Sequence, residues 1–490
     1  MRKSGILMPV FSLPGRYGCG SFGKEAFDFA DFLKSAGQKV WSILPLGITG
    51  FGNSPYQSWS SFALNPYFID IDEFVQNGIL SEDEAVCACC DSNAVSYDFL
   101  EKTRLPLLKK VFINGFEYYK SEFENFKTES EQWLSDFALF SALKTHFGGV
   151  SWNKWQSGLK HRETSEILKY RKLLSEEIKF CEFVQFLAYS QFGRLKHHLE
   201  KLGITLMGDM PIYVSYDSCD CWVNPELFML DENFEMTLLA GCPPDEFSAD
   251  GQLWGNPVYR WENHRKDNFS WWKKRFLHSR SLFDALRIDH FRGFESFYAV
   301  QGDAKTARDG TWLKGPGYDF FAEVRPFWGD TQIIAEDLGF ITDGVRSLLE
   351  KCGFPGMKIL QCAFESDAEN EFLPHNYTKN CVVYTGTHDN DTAAGKIETM
   401  KRKELQFLKN YSGCRRKKDL PAALVRMAMA SCADTAIVPM HDILELGTEG
   451  RINTPSTLGE HNWSWRMQEG AANKTAAENL YEMCRIFGRI

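Results

Sequence analysis

Eight short apolar runs limit most strongly what this chain can fold into. They are "GILMPVF" (5–11), "KVWSILPLG" (39–47), "ITLMGDMPIYV" (204–214), "FDALRIDHF" (283–291), "TQIIAEDLG" (331–339), "GMKILQCAF" (356–364), "CVVYTGTHDN" (381–390) and "TAIVPMHDIL" (435–444). Short continuous apolar stretches are what strands buried on both faces require, and most of these are separated by helical patterns. Eight of them predict an α/β fold, a (β/α)8 TIM barrel. A doubly wound sheet is the structural competitor. It would carry a glycine-rich phosphate loop after the first strand, and no such loop is present.

The intervening segments divide unevenly. Residues 24–37 have apolar residues at helical spacing and stop at Gly37. Residues 73–200 are mostly helical in pattern, with Ser81 and Glu84 spaced as a capping box and a long amphipathic stretch closing at Gly203. They are expected as a helical insertion after strand 2. Residues 215–282 are rich in Gly, Pro and Trp and low in periodicity, so they are expected as a loop-rich insertion after strand 3, carrying an active-site loop at 241–261. The chain as a whole, 1–490, is expected to be one catalytic barrel with insertions around its mouth.

A net charge of -10 disfavours nucleic acid or an anionic membrane as partner. No signal peptide and no apolar run of membrane-spanning length is visible, which suggests a cytoplasmic protein. Of 14 cysteines, only "CACC" (Cys87, Cys89, Cys90) and "CDC" (Cys219, Cys221) cluster, and neither has a partner pair at zinc spacing. Reduced thiols, with no metal and no cofactor, are the expectation. The oligomeric state is not readable.

Barrel active sites lie at the C-terminal ends of the strands. Strand 4 ends in Arg287 and Asp289, strand 5 in Glu336 and Asp337, and strand 7 in His388 and Asp389. Arg287 and Asp289 share a strand face, and a neighbouring guanidinium favours an ionised carboxylate, which suits a nucleophile. Glu336 follows two isoleucines and an alanine; desolvation there would raise its pKa and suit a proton donor. Alone, the Arg287–Asp289 pair fits a buried ion pair that only orders the barrel. Glu336-Asp337 alone fits helix capping, and His388-Asp389 a polar loop. Their coincidence at three strand ends favours chemistry. Two carboxyls acting as nucleophile and acid, about 5–5.5 Å apart, are the retaining glycosidase arrangement. Metal-dependent hydrolysis is the rival use of clustered acids, but no HxH or HExxH pattern occurs.

The aromatic residues (39 Phe, 17 Tyr, 14 Trp) fit either a Phe-rich core or a sugar-binding groove. Tyr56 and Trp59 fall beside the mouth; Phe247, Trp254, Tyr259 and Trp261 fall in the 241–261 loop. Sugar rings rest their apolar faces on such side chains. Trp271 and Trp272, in a helix-like stretch, read as packing.

The motifs "SPYQSWSSFALNP", "DMPIYV", "PPDEFSADGQLWGNPVYRW", "LRIDHFRG", "IIAEDLG", "GFPGMKILQCAF", "YTGTHDNDT" and "RINTPSTLGEHNWSWR" together resemble the 4-α-glucanotransferases, or amylomaltases, of the α-amylase superfamily. The resemblance runs in order from Leu7 to Arg466. It implies a retaining enzyme that moves α-1,4-glucan segments between maltooligosaccharides. By that resemblance Asp289 is the nucleophile, Glu336 the acid/base and Asp389 the transition-state stabiliser. Arg287 and His388 hold the donor sugar and the nucleophile, Tyr56 stacks on the sugar, and Ser54, Asp245, Trp254 and Asn256 contribute to substrate binding. Asp209, in "GDMPIYV", is expected to support the site from strand 3. The family often has Tyr and Asp where this chain has Phe51 and Asn53, and an aromatic where it has Lys396, differences that bear on acceptor affinity. An α-glucan hydrolase of the same clan is the alternative activity, and a non-catalytic glucan-binding barrel is disfavoured because all three acids are present.

Overall fold

The computed structural model describes residues 2–90, 92–244 and 248–490. Each of the eight apolar runs contains a strand of one parallel sheet: β1 (Lys3–Leu7), β2 (Val40–Ser42), β3 (Thr205–Met210), β4 (Ala285–Ile288), β5 (Gln332–Ala335), β6 (Gly356–Ile359), β7 (Cys381–Tyr384) and β8 (Thr435–Pro439). Around the sheet they run β6-β7-β8-β1-β2-β3-β4-β5. Every residue of β2, β4, β7 and β8 is buried, as the continuous apolar runs require.

The ring is not laddered all the way round. Between β5 and β6 the Ala335 N–H donates to the Pro355 carbonyl at 3.0 Å, and the Met357 N–H donates to the Asp337 carboxylate at 2.6 Å. A side chain thus supplies an acceptor where a strand would ordinarily supply a carbonyl. Gly356 makes room for it, since a Cβ there would fall 2.3 Å from Asp337 Oδ2.

The strands are shorter than the apolar runs, because the chain leaves the sheet where polar groups begin. Run 283–291 yields only four strand residues; Asp289 follows the strand and His290 adopts φ 45°. That left-handed residue turns the backbone out across the mouth.

Between β2 and β3 the chain is helical. Ser81 caps Glu82–Val86 with a capping box closed by Glu84, and the long helices Tyr97–Glu129, Glu131–His146, Thr164–Leu173 and Ser175–Leu202 follow. The last ends at Gly203, whose φ of 70° suits the residue without a Cβ. Phe112, Phe116, Phe123, Phe183 and Phe186 interlock there, so much of the Phe content is core. Buried Lys144 ties these helices to the barrel through Asp217 Oδ2 at 2.6 Å.

Residues 215–282 hold more regular structure than a loop-rich reading implies. Leu238–Cys242 and Gln252–Pro257 join Ser296–Gln301 and Thr311–Lys314, from the β4–β5 connection, in a four-stranded antiparallel sheet. The helix Ser270–Leu282 buries Trp271 and Trp272, as their helical setting suggested. No helix among the described residues is long and apolar enough to cross a membrane.

Candidate active site

The strand register brings the charged groups together. Asp209 on β3 lies directly opposite Arg287 on β4. Arg287 Nη1 reaches both Asp209 oxygens at 2.7 Å, and its Nη2 lies 3.0 Å from Asp289 Oδ1. One buried guanidinium therefore serves two carboxylates. Asp209 Oδ2 also accepts the Tyr56 hydroxyl at 2.7 Å, which fixes that ring over the mouth. Asp209 is thereby committed to its neighbours on the protein.

One residue past β5, Glu336 accepts the His290 N–H on Oε2 at 2.5 Å. Burial raises both carboxyls, Asp289 to about 7 and Glu336 to about 8, and the Arg287 guanidinium opposes the rise in each. The guanidinium touching Asp289 disfavours a proton there more than on Glu336, which meets a neutral backbone donor.

Opposite them stands the loop after β7. Asp389 Oδ1 accepts the Asn453 amide at 2.6 Å, and its Oδ2 lies 3.3 Å from His388 Nε2. Burial lowers the pKa of His388, so its ring is neutral, and it stacks on Tyr56 with centroids 5.2 Å apart and planes at 19°. Trp463 completes a three-ring cluster, 5.8 Å from each of the other two.

Asp289, Glu336, Asp389, Arg287, His388, Tyr56, Ser54, Trp254 and Asn256 all line one groove of about 1070 Å³. Trp254 stands edge-on to His290 at 4.8 Å; its carbonyl and the Asn256 side chain are both bonded by Gln57 Nε2. Asn256 in turn donates to the Val214 carbonyl at 2.8 Å. Asp245 and Phe247 lie outside the described residues. Tyr259 and Trp261 are not groove residues: both are buried, and Tyr259 donates to the Ile212 carbonyl amid Trp261, Trp271 and Trp272. Trp59 faces Phe140 and the Lys144 ammonium. Lys396 pairs with Glu365 at 2.8 Å, and neither lines the groove. Phe51 is exposed and does not line the groove.

Several groove residues had no role in the sequence reading: Gln57, Tyr213, Thr387, Asn453 and Trp463. Asn453 and Trp463 sit in "RINTPSTLGEHNWSWR", but nothing in an isolated Asn or Trp identifies its partner. Trp463 adopts φ 60°, a backbone strain for a bulky residue that is invisible in the sequence.

The geometry offers a carboxyl paired with a guanidinium, a second carboxyl beside it on a backbone N–H, a third held opposite, and stacked rings. That is equipment for displacement at a sugar carbon with proton transfer to the leaving oxygen. The family model described as 4-alpha-glucanotransferase (glycoside hydrolase family 77) matches residues 8–473. The chain is 44% identical over 486 residues to a 4-alpha-glucanotransferase of Clostridium butyricum, covering 98% of this chain and 100% of that one. It is 42% identical to one from Thermus thermophilus, covering 100% and 99%. The solved amylomaltase of Streptococcus agalactiae in complex with acarbose superposes with a TM-score of 0.97 at 40% identity, over the whole of both chains.

Proposed function

The chain belongs to the 4-alpha-glucanotransferase family, and from that premise we propose how its residues divide the work. The enzyme transfers glucan segments, and the family implies retention of anomeric configuration. Asp289 attacks the anomeric carbon of a bound α-1,4-glucan while Glu336 protonates the departing glycosidic oxygen. A glycosyl–Asp289 ester remains. Glu336, now ionised, takes the proton from the 4-hydroxyl of an incoming glucan or glucose, which displaces Asp289. Arg287 keeps the nucleophile ionised in a buried setting. Asp389, held by Asn453, faces the positive charge that develops on the sugar. Tyr56, Ser54, His388, Trp254 and Asn256 receive the sugar rings, and Asp209 orients Arg287 and Tyr56.

The observation that carries this reading is the asymmetry between two neighbouring carboxyls, one against a guanidinium at 3.0 Å and one on a backbone N–H. It supports Asp289 as nucleophile and Glu336 as acid. Transfer prevails over hydrolysis when the acceptor hydroxyl is positioned better than water. Effective molarities on the order of 10⁵ M or more are available to an aligned group. We assign maltooligosaccharides as both donor and acceptor. We further assign the reducing cytoplasm, in keeping with the buried thiols Cys19, Cys219, Cys221 and Cys484.

Incubation with maltotriose tests the reading. The expected products are glucose and a ladder of longer maltooligosaccharides; glucose and maltose alone would mean a hydrolase. Asp289→Asn and Glu336→Gln are each expected to lower turnover by orders of magnitude, and near-normal turnover in either removes that residue from its role.

A further inference from the structure

The loop that carries Asp389 leaves β7 at Tyr384 and enters the helix Ala393–Thr399. Both of its ends converge on one side chain from the neighbouring strand. Asp442, just past β8, accepts the Thr385 hydroxyl on Oδ2 at 2.5 Å and the Ala393 N–H on Oδ1 at 2.7 Å. Its side chain has no solvent exposure, and His441 Nε2 is 3.6 Å from Oδ1. Asp442 does not line the groove.

We infer that Asp442 is a positioning residue for the reaction: it spans the root of the 385–393 loop and sets where Asp389 and His388 stand. The inference rests on the role assigned to Asp389 above. Three observations carry it. The two bonds are made to the first and last residues of the loop, so one carboxylate fixes its width. Within the loop Asn390 Oδ1 accepts the Thr387 N–H at 2.8 Å, while Gln361, just past β6, holds the Asp391 carbonyl at 2.9 Å and Arg451 and Asn453 hold Asp389. Those contacts hold the middle of the loop, and Asp442 is the group that ties its two ends together. A Cβ on Gly386 would meet the Gln361 amide at 2.7 Å, so the loop packs too closely to shift without breaking contacts. A carboxylate with no route to solvent and two donors aimed at it is costly to bury without a task for its geometry.

The test is steady-state disproportionation of maltotriose by Asp442→Ala and Asp442→Asn in the full chain, with thermal melts and Asp389→Asn in parallel. Displacing a reacting group by about 1 Å costs on the order of 100-fold. Asp442→Ala is therefore expected to lose roughly 30- to 100-fold in kcat, with KM within about threefold. Asparagine keeps an acceptor for the Ala393 N–H and can donate to the Thr385 hydroxyl. It is expected to restore kcat to within about threefold of the parent. Wild-type kcat in a folded Asp442→Ala protein, with Asp389→Asn inactive, overturns the inference alone. Parental turnover in Asp389→Asn overturns the role of Asp389 and the inference with it. If Asp442→Ala does not fold, Thr385→Val removes one of the two bonds. A severalfold fall in kcat at unchanged KM then supports the inference, and an unchanged kcat overturns it.

Discussion

The two sides of the groove hold their acids by different means. On the β3–β4–β5 side the hold is electrostatic: Asp209, Arg287 and Asp289 form a chain of charge around one buried guanidinium, and desolvation raises the pKa of Glu336 beside it. On the β7–β8 side Asp389 is 44% exposed and is held by the Asn453 amide, the His388 ring and the loop beneath it. The first side sets protonation states. The second sets distance and direction. A reaction that begins with an attack and a proton transfer needs the former, and a charge that exists only at the transition state is best met by the latter.

Removing Arg287 should show the largest effect and the clearest contrast. Arg287→Leu leaves Asp209 and Asp289 without their cation, so kcat should fall by more than about 1000-fold. Stability should fall by about 3–5 kcal/mol. Denaturant titration and product assay measure the two together; a stable, active Arg287→Leu protein breaks the comparison. Asn453→Ala on the opposite side removes a hydrogen bond to a charged acceptor worth about 1.5–3 kcal/mol. It should cost roughly 10- to 100-fold in kcat with a smaller fall in melting temperature than Arg287→Leu. A large melting shift there would show that both sides bear on stability.

The raised carboxyls also make a signed prediction about pH. Glu336 titrates higher in the folded protein than in the unfolded chain, so its contribution favours folding at low pH and is lost as pH rises towards about 8. Glu336→Gln has no such loss. Its melting temperature should exceed the parent's by a margin that widens between pH 5 and pH 9. A constant margin for Glu336→Gln would mean that the carboxyl is not buried uncharged. Parental activity should fall on the alkaline side as Glu336 loses its proton, and on the acid side as Asp289 gains one. The smallest effect is expected from Tyr56→Phe. It removes one of the two donors to Asp209 Oδ2 at a cost of about 1 kcal/mol, read as a few-fold change in kcat/KM; a loss of 100-fold would make the hydroxyl part of the chemistry.

The barrel strands were legible because a strand buried on both faces has no polar alternation to confuse with anything else. The antiparallel sheet was not. Thr311–Lys314 is largely exposed, and Gln252–Pro257 includes Gly255 at φ 74°. Those strands are specified by their partners rather than by their own composition. The three carboxylates were readable from their places at strand ends, and Arg287 from its spacing to Asp289. Asn453 was not, because it meets Asp389 from 64 residues away along the chain. Asp442 stood at the end of an apolar run, in "VPMHD", and its significance emerged only when the β7 loop was seen to close on it.

The join between β5 and β6 gives the barrel a clasp that responds to acid. Backbone carbonyls cannot titrate, but the Asp337 carboxyl can, and burial raises its pKa to about 6. Below that pH the Met357 amide loses its anionic acceptor. Hydrogen exchange at Met357 should then outpace that of the laddered strands, and the switch lies one residue along the chain from Glu336.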